Sequence, residues 1–373
     1  MKIAISVTNL GFGGGERFAL NLANSFYKCG HEVVLILIED FIKIDVSDVN
    51  FEIHSLVNSK IYRKFYKKTY PISKYLLINR YKKLLKKLQI DKKFDVIISN
   101  LEGSDYIVSA LNLKNSLFVL HGIVSKELEI LHERGKKSRA IKKEQKYKAM
   151  YENKNLIAVS NGVKNDFLNN VFIKAKSVTT IYNPFDFEEI RKKSNELNNS
   201  LPNFPFLLFV GRFAKEKRVD ILFEALNLLN SDLKLVMLTD SSKELDWLIK
   251  KYNLENRVFV LGFQTNPYCF MKSAKLVVLS SKRESLANVL IESLICGSLV
   301  VSTDCDVGPR EIMINELSQF LAKVNNPSSL AQKIELALIK NVDINEDDLK
   351  RFEYKNICTQ YIKLIEDIQK EDN

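Results

Sequence analysis

The sequence predicts an α/β protein built from two doubly wound parallel sheets in tandem, facing across a ligand cleft. Three observations predict it. Short apolar runs alternate with amphipathic helical stretches, the pattern of repeated β-α-β units. The alternation stops at a polar stretch in mid-chain and then restarts. The length, 373 residues, exceeds what one hydrophobic core usually organises and suits two domains.

In the first half, continuous apolar runs occupy residues 3–7, 33–38, 96–98, 117–120 and 156–159. Continuous runs suit parallel strands covered on both faces, where alternating ones would suit a sheet open to water. Amphipathic stretches at 17–27 and 75–88 lie between them. After Asn183-Pro184 the chain turns polar over 192–203, and residues 195–203, with Pro202 near their end, are the linker candidate. New apolar runs follow at 206–210, 233–238, 258–261, 276–279 and 299–302. The expected boundaries are 1–190 for the first domain and 204–350 for the second, with 351–373 a closing helix placed to pack back on the first. A (β/α)₈ barrel competes, but the linker and the unequal strand spacing count against it.

A hydrophobic content of 46% with 27% charged residues is ordinary globular composition and excludes large-scale disorder. No apolar run reaches the roughly 20 residues that a membrane-spanning helix needs. The opening Met1-Lys2-Ile3-Ala4-Ile5-Ser6-Val7 reads as a strand and not as a secretory signal. Cys29, Cys269, Cys296, Cys305 and Cys358 are scattered without CxxC pairs, as reduced thiols of a cytoplasmic protein would be. His31, His54, His121 and His132 show no zinc-ligand spacing, so no metal site of that type is expected. Charge is uneven. Between Lys60 and Lys93 stand thirteen Lys/Arg against one acid, Asp91, a block of +12 in a chain of net charge +11. Such a block argues for an anionic partner at that place.

The first apolar run leads into Gly11-Phe12-Gly13-Gly14-Gly15-Glu16-Arg17 and then a helical pattern. Glycines let the backbone pass close to a ligand and leave helix amides open to an anion or a sugar hydroxyl. The dinucleotide fingerprint GxGxxG fails here, because Glu16 stands where the third glycine belongs. Glu39 and Asp40 do end the second run, where a nicotinamide ribose would want an acid, and this keeps an oxidoreductase as an alternative. A tight turn without a ligand explains the loop as well as a ligand cradle does.

In the second half, residues 206–210 end in Gly211-Arg212-Phe213-Ala214-Lys215-Glu216-Lys217-Arg218. Cations at a strand's carboxyl end suit a phosphate, Arg212 through its planar fork and Lys217 as a point charge. A solvated charge run would explain them too, although basic residues at a helix start oppose its dipole. The run 276–279 leads to Glu284-Ser285-Leu286-Ala287-Asn288-Val289-Leu290-Ile291-Glu292, with a helix starting near Leu286–Asn288. Free amides at that start would lie between two carboxylates. A nucleotide sugar has the same order of parts: sugar hydroxyls, diphosphate, ribose hydroxyls. A glycosidase pair is conceivable, but nothing else here resembles one.

Arg212 with Lys217 and Glu284 with Glu292 together form the pattern of the family 4 glycosyltransferases, which the chain resembles over nearly its whole length. Other matching pieces are the Gly13-Gly14-Gly15-Glu16-Arg17 loop, Ala158-Val159-Ser160-Asn161-Gly162-Val163, Ile181-Tyr182-Asn183-Pro184 and Leu261-Gly262-Phe263. Gly308-Pro309-Arg310-Glu311-Ile312 is similar to members that transfer N-acetylhexosamines onto polyprenyl-diphosphate or lipopolysaccharide acceptors. The resemblance implies the GT-B fold, two Rossmann-like domains facing across a cleft. It further implies a retaining reaction with a nucleotide-sugar donor, taken here as UDP-linked, and no bound metal or other cofactor. Carried over by position, Arg212 and Lys217 would neutralise the leaving diphosphate, Glu284 would position the donor sugar and Glu292 would bind the ribose. Gly13, Gly14, Gly15, Leu286, Ala287 and Asn288 would complete the donor site. His121, after residues 117–120, matches a family histidine near the reacting sugar.

Three departures from the family pattern stand out. Ser285 replaces a usual glycine, Thr239-Asp240-Ser241-Ser242 replaces a usual glycine turn, and Asp304-Cys305-Asp306 forms a DxD that in single-domain transferases holds a metal. The metal-free reading is preferred. The first two departures leave as an alternative a catalytically silent GT-B subunit that binds nucleotide only. On residues 75–88, Ile78, Tyr81, Leu85 and Leu88 share one stripe, with Lys82, Lys83, Lys86 and Lys87 on the remaining surface. With Tyr62, Phe65, Tyr66 and Tyr70 nearby, and a second basic run at 134–148, this suits peripheral docking to the anionic inner face of the cell membrane. A lipid-linked or glycan acceptor would require that. A lysine-rich solvated face is the rival, and no motif supports nucleic acid.

Overall fold

The computed structural model describes residues 1–11, 13–62, 64, 72–340 and 342–371. They divide into two compact units, Met1–Pro184 with Tyr354–Asn373, and Phe185–Glu353. Residues 195–203 lie within the second unit.

Among the described residues the first unit holds seven strands: β1 (Lys2–Val7), β2 (Glu32–Glu39), β3 (Glu52–Val57), β4 (Val96–Asn100), β5 (Ser116–Leu120), β6 (Asn155–Ala158) and β7 (Ser177–Thr180). They form one sheet in the order β3-β2-β1-β4-β5-β6-β7, every pair parallel. The second unit adds β8 (Phe206–Val210), β9 (Lys234–Leu238), β10 (Val258–Val260), β11 (Leu276–Leu279), β12 (Val300–Thr303) and β13 (Leu321–Ala322), ordered β10-β9-β8-β11-β12-β13 and again parallel. In each sheet the order reverses beside its first strand, at β1/β4 and at β8/β11. Connections leave in opposite directions there, so the carboxyl ends of those two strands open a crevice, the usual ligand site of an open parallel sheet.

All ten apolar runs are strands. The three strands absent from that reading, β3, β7 and β13, are sheet edges. An edge strand has one neighbour and more water; β7 is half-buried at every position and the first four residues of β3 are exposed or half-buried. Neither therefore needs a continuous apolar run.

Helix α1 (Gly14–Lys28) covers the first sheet with Phe18, Leu22 and Phe26 buried. Helix α2 (Ile72–Leu88) turns the expected stripe inward: Tyr81 is fully buried and Ile78 and Leu85 nearly so, while Lys82, Lys83, Lys86 and Lys87 are exposed. Of the aromatic residues expected beside it, Tyr62 is described, whereas Phe65, Tyr66 and Tyr70 lie outside the described residues. The C-terminal helix Tyr354–Glu371 belongs to the first unit, where Tyr361 meets Phe26 edge-on at 5.6 Å and Gln369 Nε2 donates to Asp95 O at 3.3 Å. Among the described residues no helix is long and apolar enough to cross a membrane.

Candidate active site

At the β8/β11 switch of the second unit, β8 ends at Val210 and the chain passes Gly211 and Arg212 into a short 3₁₀ turn, Lys215–Lys217. The β11 loop crosses in front of it: Ser280 Oγ donates to Lys217 O at 2.7 Å and Lys282 N donates to Glu216 O at 2.7 Å. These two bonds lace the loops together and bring Lys217 Nζ to 2.6 Å from Glu284 Oε1, with side chains only 18% and 12% exposed. Ser281 Oγ donates to the same oxygen at 2.6 Å. Both donors use Oε1, so Glu284 keeps Oε2 as an acceptor. Arg212 is separate: its side chain is 83% exposed and its nearest acid is Glu216, at 4.0 Å.

Beyond Glu284, Leu286 and Ala287 are buried, and helix α3 (Asn288–Ile295) begins at Asn288. Ala287 takes a left-handed conformation (φ 64°, ψ 59°) and supplies no side-chain cap to the first turn. Glu292 sits in the second turn, 8% exposed, with Tyr268 OH 3.5 Å from its Oε1. Gly308 supports this loop from below: it has φ 95°, and a Cβ there would stand 3.2 Å from the Leu286 carbonyl carbon and 3.3 Å from Glu284 Cβ. Any side chain would therefore push the loop outward, besides straining its own backbone.

In the first unit, the β1/β4 switch joins the glycine loop to the end of β4. A Cβ on Gly13 would lie 2.1 Å from Glu16 Oε2, and one on Gly15 would lie 2.5 Å from Leu101 Cδ2. Gly14 faces open space. A side chain at Gly13 or Gly15 would displace only the mobile ends of Glu16 and Leu101, and the Glu16 carboxylate lies against the amino end of α1, where it suits the helix dipole. His121 follows β5. Its Nε2 lies 3.1 Å from Asn100 Oδ1, and Phe18 of α1 meets its ring edge-on with centroids 4.7 Å apart. Burial pushes its pKa down to about 4, so the imidazole is neutral at physiological pH.

Two profiles match the chain: one described as Glycosyltransferase Family 4 over residues 12–189 and one described as Glycosyl transferases group 1 over 186–356. A Campylobacter jejuni relative, N-acetylgalactosamine-N,N'-diacetylbacillosaminyl-diphospho-undecaprenol 4-alpha-N-acetylgalactosaminyltransferase, is 32% identical over 95% of this chain and 93% of its own. The chain is a family 4 glycosyltransferase of the GT-B type. A second C. jejuni enzyme, GalNAc-alpha-(1->4)-GalNAc-alpha-(1->3)-diNAcBac-PP-undecaprenol alpha-1,4-N-acetyl-D-galactosaminyltransferase, is 26% identical over 99% of each chain. Among solved structures, Anabaena HepE in complex with UDP and glucose superposes with a TM-score of 0.73 at 18% identity, covering 98% of this chain and all of that one, a likeness of fold.

Family membership removes the nicotinamide oxidoreductase alternative, and the two acids that kept it open have structural partners. Glu39 accepts from Asn9 Nδ2 at 2.8 Å, and Asp40 accepts from Ser59 N and from Asn58 Nδ2. The DxD of the glycosyltransferase is not a free pair either, since Arg310 grips both oxygens of Asp304, and the Cys305 thiol donates to Ser281 O at 2.9 Å. Among the described residues no three His, Cys, Asp or Glu side chains converge as metal ligands. Where a glycine turn is usual, Ser242 caps the helix Lys243–Lys251 by accepting from Leu245 N at 3.1 Å.

Sequence reasoning missed Ser281, Gly308 and Asn100. Gly308 stood in a quoted motif, yet its contact with Leu286 could not be read from it. Ser281 and Asn100 end or follow apolar runs at the carboxyl side of switch-point strands, and that position was the available signal.

Proposed function

We propose that this glycosyltransferase moves an N-acetylhexosamine from a UDP-linked donor to a lipid-linked or other surface-glycan acceptor, with retention of anomeric configuration and without a resident metal. The observation that carries the proposal is the Lys217–Glu284 pair, held 2.6 Å apart beside the start of α3. Lys217, Arg212 and the first amides of α3 supply preorganised positive potential where charge develops on a departing diphosphate. A cation would do the same work in a metal-dependent site. Glu284 accepts from a sugar hydroxyl through Oε2 while Lys217 and Ser281 hold Oε1. Glu292 binds the ribose. In the first unit, His121 meets a sugar hydroxyl.

In the transfer, the acceptor oxygen bonds to the anomeric carbon as the bond from that carbon to the phosphate oxygen breaks. The acceptor's proton passes to that phosphate oxygen, and attack on the departing face retains configuration. The C. jejuni relatives' names carry lipid-diphosphate acceptors, which supports the acceptor class. The lysine face of α2 supports peripheral attachment to the inner membrane surface, because each cation near an anionic bilayer contributes about 1 kcal/mol.

Purified protein, UDP-N-acetylgalactosamine and an undecaprenyl-diphosphate glycan test the reading, with product anomers identified by NMR and the assay repeated in excess chelator. An α-linked product at an undiminished rate in chelator is expected. A β-linked product refutes retention, loss of rate in chelator refutes metal independence, and UDP binding without turnover supports the silent-subunit alternative.

A further inference from the structure

His121 of the first unit is held on two sides, by Asn100 and by Phe18. Asn100 ends β4 with no solvent exposure. Its Nδ2 faces two backbone carbonyls, Ile98 O at 3.3 Å and Ser6 O at 3.4 Å. Only the NH₂ end of an amide can face carbonyls, so these contacts set which way the side chain points. Oδ1 is then left toward His121 Nε2 at 3.1 Å, and an amide oxygen can only accept. Nε2 must therefore carry the hydrogen. Phe18, edge-on at 4.7 Å, limits rotation of the ring.

Among the described residues no charged group acts on the imidazole. Facing it are Phe18 from α1 and Asn100 from β4. The neighbouring residue, Gly122, stands near Glu127 of the helix Val124–Glu133, whose Oε1 would lie 3.0 Å from a Cβ on that glycine. Glu127 Oε2 accepts from Lys143 Nζ at 2.6 Å and from Tyr147 OH at 2.5 Å. Among the described residues Nδ1 has no hydrogen-bond partner.

We propose that Asn100 is a positioning residue that locks His121 in its Nε2–H tautomer, so that His121 meets a sugar hydroxyl as a neutral acceptor through Nδ1 and never as an imidazolium. This rests on the reading that His121 contacts a sugar. The lock makes His121 selective for a donor, a hydroxyl or an amide N–H, and it withholds positive charge from a sugar that turns cationic in the transition state.

The test is ¹⁵N-histidine NMR on the full chain, with His121 assigned by His121→Gln, beside kinetics of Asn100→Asp and Asn100→Ala. In the wild type, His121 should show a protonated Nε2 and an unprotonated Nδ1, unchanged between about pH 8 and about pH 5. In Asn100→Asp the new carboxylate favours the imidazolium. His121 should then titrate near neutrality, and kcat/KM should fall at least about tenfold between pH 8 and pH 6 relative to wild type. Asn100→Ala should show mixed tautomers and lower kcat, with UDP affinity unchanged by calorimetry. Adding UDP-N-acetylgalactosamine alone, then the lipid-linked acceptor, should shift Nδ1 at whichever addition brings the hydroxyl.

A wild-type Nδ1–H or mixed tautomer overturns the proposal outright, whether or not the variants fold. So does an Asn100→Asp pH profile parallel to wild type, which is the result of a purely structural role. If neither addition moves Nδ1 while the tautomer is as expected, the sugar-contact reading fails and the lock stands.

Discussion

Lys217→Met would leave Glu284 with one donor, Ser281 Oγ at 2.6 Å, at a side chain only 12% exposed. Exposed ion pairs contribute about 0–1 kcal/mol. Stranding one charge of a fully buried pair costs about 3–5 kcal/mol. With exposures of 18% and 12%, this pair lies between those limits. Each single variant, Lys217→Met or Glu284→Gln, should therefore destabilise the second unit by about 1–3 kcal/mol. The double variant should recover part of the loss, giving a coupling energy of about 1–2 kcal/mol. Bound UDP gives Lys217 a second anion, so the coupling should fall by about half in saturating UDP. The protection UDP provides, about 2.7 kcal/mol at a hundredfold excess over Kd, should shrink in Lys217→Met.

The assay is urea unfolding of the four proteins with and without UDP. It is followed by fluorescence of Trp247, the chain's one tryptophan, which lies in the second unit. Single variants within about 0.5 kcal/mol of wild type would show that the pair holds nothing together. A coupling energy that UDP leaves unchanged would show that Lys217 does not meet the nucleotide's phosphates, and the proposed site would be wrong.

Arg212→Ala removes a side chain that is 83% exposed, so unfolding midpoints should stay within about 0.5 kcal/mol of wild type. Its kcat/KM should nevertheless drop about 10²–10³-fold, and near-normal turnover would remove Arg212 from the site. Asp105 is fully buried beside Tyr151 OH at 2.9 Å, with Ser99, Glu102 and Lys146 around it, and burial pushes its pKa up to about 7. An acid raised in the folded state loses stability as pH climbs from its unfolded pKa to its folded one. Asp105→Asn, which cannot ionise, should gain on wild type by about 4 kcal/mol between pH 4 and pH 8; a flat difference in unfolding free energy would show that Asp105 is not protonated at neutral pH. Glutamate at Lys82, Lys83, Lys86 and Lys87 together should weaken co-sedimentation with phosphatidylserine vesicles at low salt at least about a hundredfold. Unchanged sedimentation would place membrane contact elsewhere or nowhere.

Inner strands were readable because burial on both faces leaves little choice of residue, as in residues 33–38 of β2. The edge strands β3 and β7 were not, because each satisfies only one neighbour and tolerates polar residues such as Ser177 and Thr179, whereas the edge strand β10 keeps the apolar run Val258–Val260 and was readable. The inward stripe of α2 was equally plain, since a period of 3.6 is a local property. The site residues were legible as types at strand ends, but what each one touches was not. The Asp304-Cys305-Asp306 motif shows the difference: as a string it suggests metal ligands, while in space Arg310 claims one carboxylate and a buried carbonyl claims the thiol.

By itself the sequence determined the two parallel sheets and their helices and offered residue types suited to phosphate and sugar hydroxyls, because these follow from apolar periodicity and residue type along short stretches of chain. Only tertiary structure decided that Lys217 and Glu284, 67 residues apart, share one oxygen with Ser281, and that Asn100 Oδ1 faces His121 Nε2. Those pairings depend on which strand ends meet at each switch point. Strand order comes from long-range packing that no local pattern encodes.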